Sequence, residues 1–227
     1  MYKIFGLTYD IELSTRPEEK YIGSIEIWNK SEAILEKACH EAGHDCKINP
    51  GDGAFYGPKL DFHIKDSLGR VWQCGTIQLD MNLPERFDLT YVDKDGSKKR
   101  PIMLHRVIYG SIERFIGILI EHYAGAFPTW LSPVQVNIIP VNNEYHLEYA
   151  KEVFAKLNEA GFRAELDERN EKLSYKMRES QTKKIPFTLV LGDKEKDSKT
   201  ITYRIHGSNE SITMDLDEFI SKVKENV

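Results

Sequence analysis

From Pro133 to the C terminus the chain alternates short apolar runs with segments of helical period, and no other feature restricts its fold so tightly. VQVNIIPV reads as a buried strand, and residues 144 to 160 read as a helix stopped at Gly161. FRAEL follows as a strand, KLSYKMRESQTKK as a basic helix and PFTLVLG as a second apolar strand. TITYRI alternates as a fourth strand, and MDLDEFISKVKENV closes the chain as an amphipathic helix. Strands separated by crossover helices predict a mostly parallel sheet covered by helices. Residues from about 133 to 227 are therefore expected to form an α/β domain of their own.

The stretch GAFPTWLSP, residues 125–133, marks the boundary, because Gly125, Pro128 and Pro133 interrupt two periodic segments. Before it, SIERFIGILIEHYAG places Ile112, Phe115, Ile116, Leu119 and Ile120 at helical spacing, with Gly125 as a C-cap. Further upstream a helix is expected from about Ile25 to Ala42, bounded by Gly23-Ser24 and Gly43. KLDFHIKD alternates strictly, with Leu60, Phe62 and Ile64 on one face. VWQCGTIQLD follows a turn at Leu68-Gly69, so the two runs predict an antiparallel hairpin.

Hydrophobic residues make up 41% of the chain and charged residues 30%, which supports a buried core and excludes wholesale disorder. Three cysteines, Cys39, Cys46 and Cys74, suit a reducing compartment better than a disulfide framework. No apolar run is long enough to span a membrane, and the start lacks a secretory leader, so a cytoplasmic protein is expected. A formal net charge of −5 argues against a protein that coats nucleic acid everywhere. Yet from Arg169 to Arg204 ten basic residues stand against five acidic ones. That local surplus fits either a confined polyanion contact or a solvated helix face of ordinary Lys/Glu mixing.

His40-Glu41-Ala42-Gly43-His44 matches the zinc-hydrolase pattern H-E-x-x-H. That chemistry needs both histidines on one helical face, and Gly43 sits where the apolar period ends, placing His44 outside the helix. The match is set aside. The loop GDGAFYGPK, residues 51–59, combines glycines, two aromatics and Lys59, as a ligand-approaching loop or a plain turn would. Gln73 and Gln78 interrupt apolar neighbours around the mid-strand Gly75; they could read a ligand's amino group or ring edge, or line a solvent face. His105-Arg106 precedes the helix that carries Ser111 and Arg114. The histidine could be structural, and the planar guanidinium suits phosphate.

Taken in order, LSTRPEEKYIG, GAFYGPKLDF, QCGTIQLD, MLHRVIYGSIERFIGILIEHYAGAFPTWLSPVQV, ERNEKLSYKMRE and GDKE resemble the threonyl-tRNA synthetase family across essentially the whole chain. The resemblance is to the family's C-terminal part. It implies an α/β chain: a partial class II synthetase antiparallel-sheet catalytic domain over residues 1–128, with motif 3 at about 105–120. An anticodon-binding domain with a mixed, mostly parallel sheet is implied over residues 129–227.

By the same resemblance Arg114 would hold the ATP phosphates, accompanied by Mg²⁺, and Gln73 would lie at the nucleotide and threonine pocket. Tyr56, Lys59, Thr76, Gln78 and Ser111 would surround the substrate. His105 matches the last of three zinc ligands, in a family whose zinc takes the threonine amine and hydroxyl and so rejects valine. The implied reaction is attack of the threonine carboxylate on the α-phosphate, then transfer to the terminal ribose of the tRNA. Asn170, Arg178, Lys184, Glu195 and Arg204 match positions that meet the anticodon, and all lie inside the basic stretch. The implied partners are threonine tRNA, ATP and threonine, with a homodimer in the full-length family and no membrane.

The family's motifs 1 and 2, with the motif 2 arginine, two zinc ligands and the dimer-forming motif, are not in this sequence, nor is the N-terminal editing region. His105 alone cannot complete a zinc site, and the three cysteines do not match the family's ligand. The expectation is that this chain by itself binds no zinc and makes no threonyl-adenylate. A stand-alone tRNA-binding protein is the rival reading, and a partner chain supplying motifs 1 and 2 in trans is a third. Gln73, His105 and Arg114 weigh against a pure binding module, which has no need of them.

Overall fold

In the computed structural model, which describes residues 1–225, the chain divides into two compact units, residues 1–122 and the residues from Tyr123 onward. The first unit opens with a 3₁₀ turn, Tyr2–Phe5, and continues through β1 (Tyr9–Ser14), α1 (Ile25–Glu41), β2 (Lys47–Asn49), β3 (Lys59–Lys65) and β4 (Val71–Asp80). It ends with α2 (Leu83–Arg86), β5 (Tyr91–Val92), β6 (Lys98–Lys99), β7 (Met103–Val107) and α3 (Ile112–His122).

Five of these strands form one sheet in the order β2-β1-β3-β4-β7. β1 pairs with β2 in parallel, and the other three pairings are antiparallel. The expected β3–β4 hairpin is therefore present, turned at Gly69, whose φ of 80° is left-handed and costs a glycine little. Strand alternation sends Leu60, Ile11 and Leu13 to one face, where they pack with Leu35 and Cys39 of α1. Phe62 and Ile77 join that cluster. Ser24 caps α1 by accepting the Ile27 N–H at 3.4 Å.

α1 ends at Glu41, and Gly43 takes a left-handed φ of 77°, so His44 lies beyond the helix and faces the Tyr9 hydroxyl at 3.4 Å. His40 instead stands 3.7 Å from Asp45. The H-E-x-x-H residues thus lack the one-face geometry that the motif requires. α3 buries Phe115, Ile118 and Leu119 and leaves Ile112, Ile116 and Ile120 about half exposed. The apolar stripe read from the sequence is wider than the face this unit covers. Phe115 anchors the helix, stacked on Tyr109 at 4.6 Å between ring centroids and edge-on to Phe5 at 5.3 Å.

The second unit comprises β8 (Val136–Pro140), α4 (Asn143–Glu159), β9 (Ala164–Leu166), α5 (Leu173–Thr182) and β10 (Phe187–Leu191). α6 (Asp193–Ser198), β11 (Thr200–Ile205), β12 (Ile212–Asp215) and α7 (Leu216–Glu225) complete it. The predicted closing helix splits into β12 and α7, and its last two positions, 226 and 227, lie outside the described residues.

The sheet order is β12-β11-β10-β8-β9. β8 pairs in parallel with β9 and β10, while β10–β11 and β11–β12 are antiparallel, so the sheet is mixed. Ile138, Leu189, Leu191, Ile201 and Tyr203 are buried against Val153 and Leu157 of α4 and Phe219 and Val223 of α7. Asn142 caps α4 by accepting the Glu144 N–H at 2.7 Å.

Candidate functional site

The polar face of the first sheet gathers most of the residues that the sequence marks for chemistry. Cys74 is the extra residue of a β-bulge in β4, because Phe62 pairs with Gly75 and His63 with Gln73. The bulge turns Gln73 and Thr76, three residues apart, to the same side, where the Gln73 amide donates to the Thr76 hydroxyl at 3.0 Å. Lys59, Gln73, Thr76, Gln78 and His105 line one open cavity of about 520 Å³.

Lys59 reaches Asp61 at 2.6 Å and Asp52 at 3.3 Å. Burial works against the Lys59 ammonium, but the bonds to Asp61 and Asp52 outweigh it and raise its pKa above the ordinary value. The lysine stays charged at the cavity wall, ready for a carboxylate or phosphate.

Tyr56 donates to Gln78 at 3.0 Å. Its own backbone is clipped to the end of β4 by Met81 N–H to Tyr56 O at 2.9 Å and Leu79 N–H to Pro58 O at 3.1 Å. Gly57 permits that approach: a Cβ there would lie 1.9 Å from the Leu79 carbonyl oxygen.

His105 sits on β7 opposite Gln78, its Nε2 2.7 Å from Asp80. Burial pushes the Asp80 carboxyl up, but the bond from His105 and the N–H groups of Leu83 and Asn82 outweigh it and hold it below its usual range. Among the described residues no three His, Cys, Asp or Glu side chains stand close enough to share a metal ion. His105 and Asp80 do not make a zinc centre without a further donor, so no step is derived through zinc.

Ser111 immediately precedes α3 and Arg114 lies in its first turn, and neither lines the cavity. The Arg114 guanidinium donates to the Gln73 carbonyl and lies over the Trp72 ring. The Ser111 hydroxyl donates to Glu113 at 2.9 Å and accepts the Arg114 N–H at 3.4 Å.

In the second unit Glu195 and Arg204 meet the polar side of the β11–β12 ribbon. Glu195 accepts from Thr202 at 2.6 Å and from the Gly192 N–H at 2.9 Å, and Arg204 donates to Ser211 at 2.8 Å. Burial raises the Glu195 carboxyl, but those bonds lower it further and keep it ionised. Arg178 is exposed on α5, Asn170 is exposed in the loop before it, and Lys184 donates to the Ala124 carbonyl from a left-handed backbone. Part of the basic surplus is paired with acidic side chains of the same unit. Lys176 is buried against Asp167, Arg169 is paired with Asp167 and Glu179, and Lys199 with Glu152.

Sequence reasoning passed over Asp61, Asp80, Ser14 and Trp72. The signal for Asp61 was its place two residues after Lys59 on an alternating strand, which puts both on one face. Asp80 closes the same polar series on β4, after Gln78.

These two units match two family models: "tRNA synthetase class II core domain (G, H, P, S and T)" over residues 1–123 and "Anticodon binding domain" over residues 135–226. The chain belongs to the class II aminoacyl-tRNA synthetases. Within that class it is similar to threonine–tRNA ligases, 62% identical to that of Fusobacterium nucleatum over 97% of this chain and 36% of the relative. It is 59% identical to that of Clostridium novyi over 100% of this chain and 35% of the relative. The chain therefore spans about a third of the length of the curated relatives it matches. Among solved structures it is similar to the RNA binding domain of threonyl-tRNA synthetase from Cryptosporidium parvum, with TM-score 0.86 and 40% identity, covering 99% of this chain and 56% of that one.

Proposed function

We propose that this chain is the C-terminal part of a threonine–tRNA ligase, residues 1–128 carrying part of the ATP and threonine site and residues 129–227 reading the anticodon. The observation that carries the reading is the convergence of Lys59, Gln73, Thr76, Gln78 and His105 on one cavity, in a chain similar to threonine–tRNA ligases over nearly all its length.

In this reading the longer protein joins the threonine carboxylate to the α-phosphate of Mg²⁺-bound ATP, releasing pyrophosphate, and then passes the threonyl group to the tRNA's terminal ribose. Arg114 binds the nucleotide phosphates and Lys59 an anionic oxygen of the adenylate. Gln73, Thr76, Gln78, Tyr56 and Ser111 orient the amino acid and nucleoside. Positioning and charge stabilisation supply the catalysis that these groups can give. Asn170, Arg178, Lys184, Glu195 and Arg204 contact the unstacked anticodon bases. The protein acts in the cytoplasm and as a homodimer when full length; among the described residues no helix is long and apolar enough to cross a membrane.

Calorimetric titration of the chain with a non-hydrolysable threonyl-adenylate mimic, the threonyl sulfamoyl adenosine, tests the catalytic half. Saturable binding that weakens on Gln78→Ala supports the reading. Absence of heat at millimolar ligand contradicts it.

A further inference from the structure

Asp61 carries the densest set of bonds on the polar face and is only 1% exposed. Its Oδ1 accepts from the Gln73 amide at 2.5 Å and the Thr76 hydroxyl at 2.8 Å. Its Oδ2 accepts from the Lys59 ammonium at 2.6 Å and the Ser14 hydroxyl at 3.0 Å. Four donors fill the four lone-pair sites of a carboxylate. A buried carboxylate is tolerated only when satisfied in this way. Asp61 therefore has no acceptor site left for a ligand, and whatever it does for the cavity it does through its four neighbours.

The consequences are directional. Gln73 spends an amide N–H on Asp61, so its carbonyl oxygen is the group that remains for the cavity, and it can accept from an ammonium or a hydroxyl. Thr76 spends its proton on Asp61 and receives one from Gln73 at 3.0 Å. Lys59 is drawn to the wall by the same carboxylate, gives a second N–H to Asp52 at 3.3 Å, and keeps its third for an anion. Exposed amides and lysines on a strand face would otherwise sample several rotamers, so their donor and acceptor directions would be unset.

We propose that Asp61 is the positioning residue of this face: its carboxylate fixes Gln73 as an acceptor and Lys59 as a cation for the bound amino-acid adenylate. The ligand's identity rests on the function proposed above; the orientation of Gln73 and Lys59 does not.

Side-chain ¹⁵N spectra of the chain, recorded with and without the threonyl sulfamoyl adenosine mimic and its des-amino counterpart, test the proposal. The wild type should show separate, slowly exchanging signals for the Gln73 carboxamide and the Lys59 ammonium. Asp61→Asn should merge both with the bulk signals and weaken the amino-bearing mimic by about ten-fold or more. It should also bring the affinity ratio of the two probes close to one, which a general loss of stability would not do. Asp61→Glu should recover the Lys59 signal in part. Should Asp61→Asn not fold, Thr76→Val removes one donor to Asp61 and should shift the Gln73 signals alone. Unchanged Gln73 and Lys59 signals in a folded variant overturn the proposal. If the wild type binds neither probe, the adenylate reading falls and the ligand-free spectra decide the role of Asp61 by themselves.

Discussion

The guanidinium of Arg114 lies over the Trp72 indole, 5.6 Å from the ring centroid, while Arg70 approaches the same ring at 5.7 Å. Trp72 is itself fixed by donating its Nε1–H to Asp66 at 2.8 Å. A chain of contacts thus runs from a buried carboxylate through an aromatic plate to the arginine proposed to hold the nucleotide phosphates. Trp72→Leu should loosen Arg114 and weaken nucleotide binding by about 1 kcal/mol, roughly five-fold, the worth of a partly exposed cation–π contact. Arg114→Lys should not restore affinity to Arg114→Ala, because a lysine cannot stack its plane on the indole and bond the Gln73 carbonyl together. Fluorescence-detected titration of ATP into each variant checks both statements.

Asp66 supplies the clearest pH dependence. Burial pushes its carboxyl up, but bonds from Trp72, Arg70 and the Leu68 N–H outweigh that and hold it at about 2, against 3.8 for the free side chain. A depressed carboxylate adds stability that is complete above the free value and is lost as pH falls toward the folded one. The first unit should therefore lose stability between about pH 4 and pH 2, and Asp66→Asn should flatten that part of the curve. Denaturant midpoints followed by Trp fluorescence across this range measure it.

Gly57 has no room for a side chain, since a Cβ would meet the Leu79 carbonyl oxygen at 1.9 Å. Gly57→Ala should force the 56–58 loop off β4 and cost about 2 kcal/mol or more. It should also break the Tyr56–Gln78 bond, so the threonyl-adenylate mimic should bind more weakly as stability falls. A shift in thermal midpoint with unchanged mimic affinity would show that Tyr56 does not depend on this clip.

In the second unit, Phe219 is wholly buried between the rings of Tyr203 and Phe187, at centroid distances of 5.0 and 5.3 Å. Phe219→Ala should destabilise that unit by about 3–5 kcal/mol, measured by denaturant unfolding.

The alternation after Pro133 was legible because apolar runs and helical periods switch cleanly there. β12 and α6 were not. Ile212–Asp215 is four residues long and runs directly into α7, and Asp193–Ser198 has no apolar residue to show a period. Lys59, Gln73, Thr76, Gln78 and His105 could be named from the sequence, and the structure does bring them together. Asp61 and Asp80 went unnamed although they stand in the same polar series, because a carboxylate on a strand face reads as solvated. Ser14 of β1, which bonds Asp61, and His105 of β7, which bonds Asp80, come from distant parts of the chain. Asp167 and Glu152, which pair with Arg169 and Lys199, fall outside the segment over which the basic surplus was counted.

The anticodon contact proposed for the second unit is open to one direct measurement. A threonine tRNA anticodon stem-loop is titrated into the chain at two salt concentrations, beside a stem-loop with a scrambled anticodon and an Arg204→Ala variant. The expected result is preference for the correct anticodon at both salts, with Arg204→Ala weakening it by about 1 kcal/mol or more. Equal affinity for both stem-loops, falling steeply with salt and untouched by Arg204→Ala, would reduce the second unit to a basic surface and contradict the proposed contact.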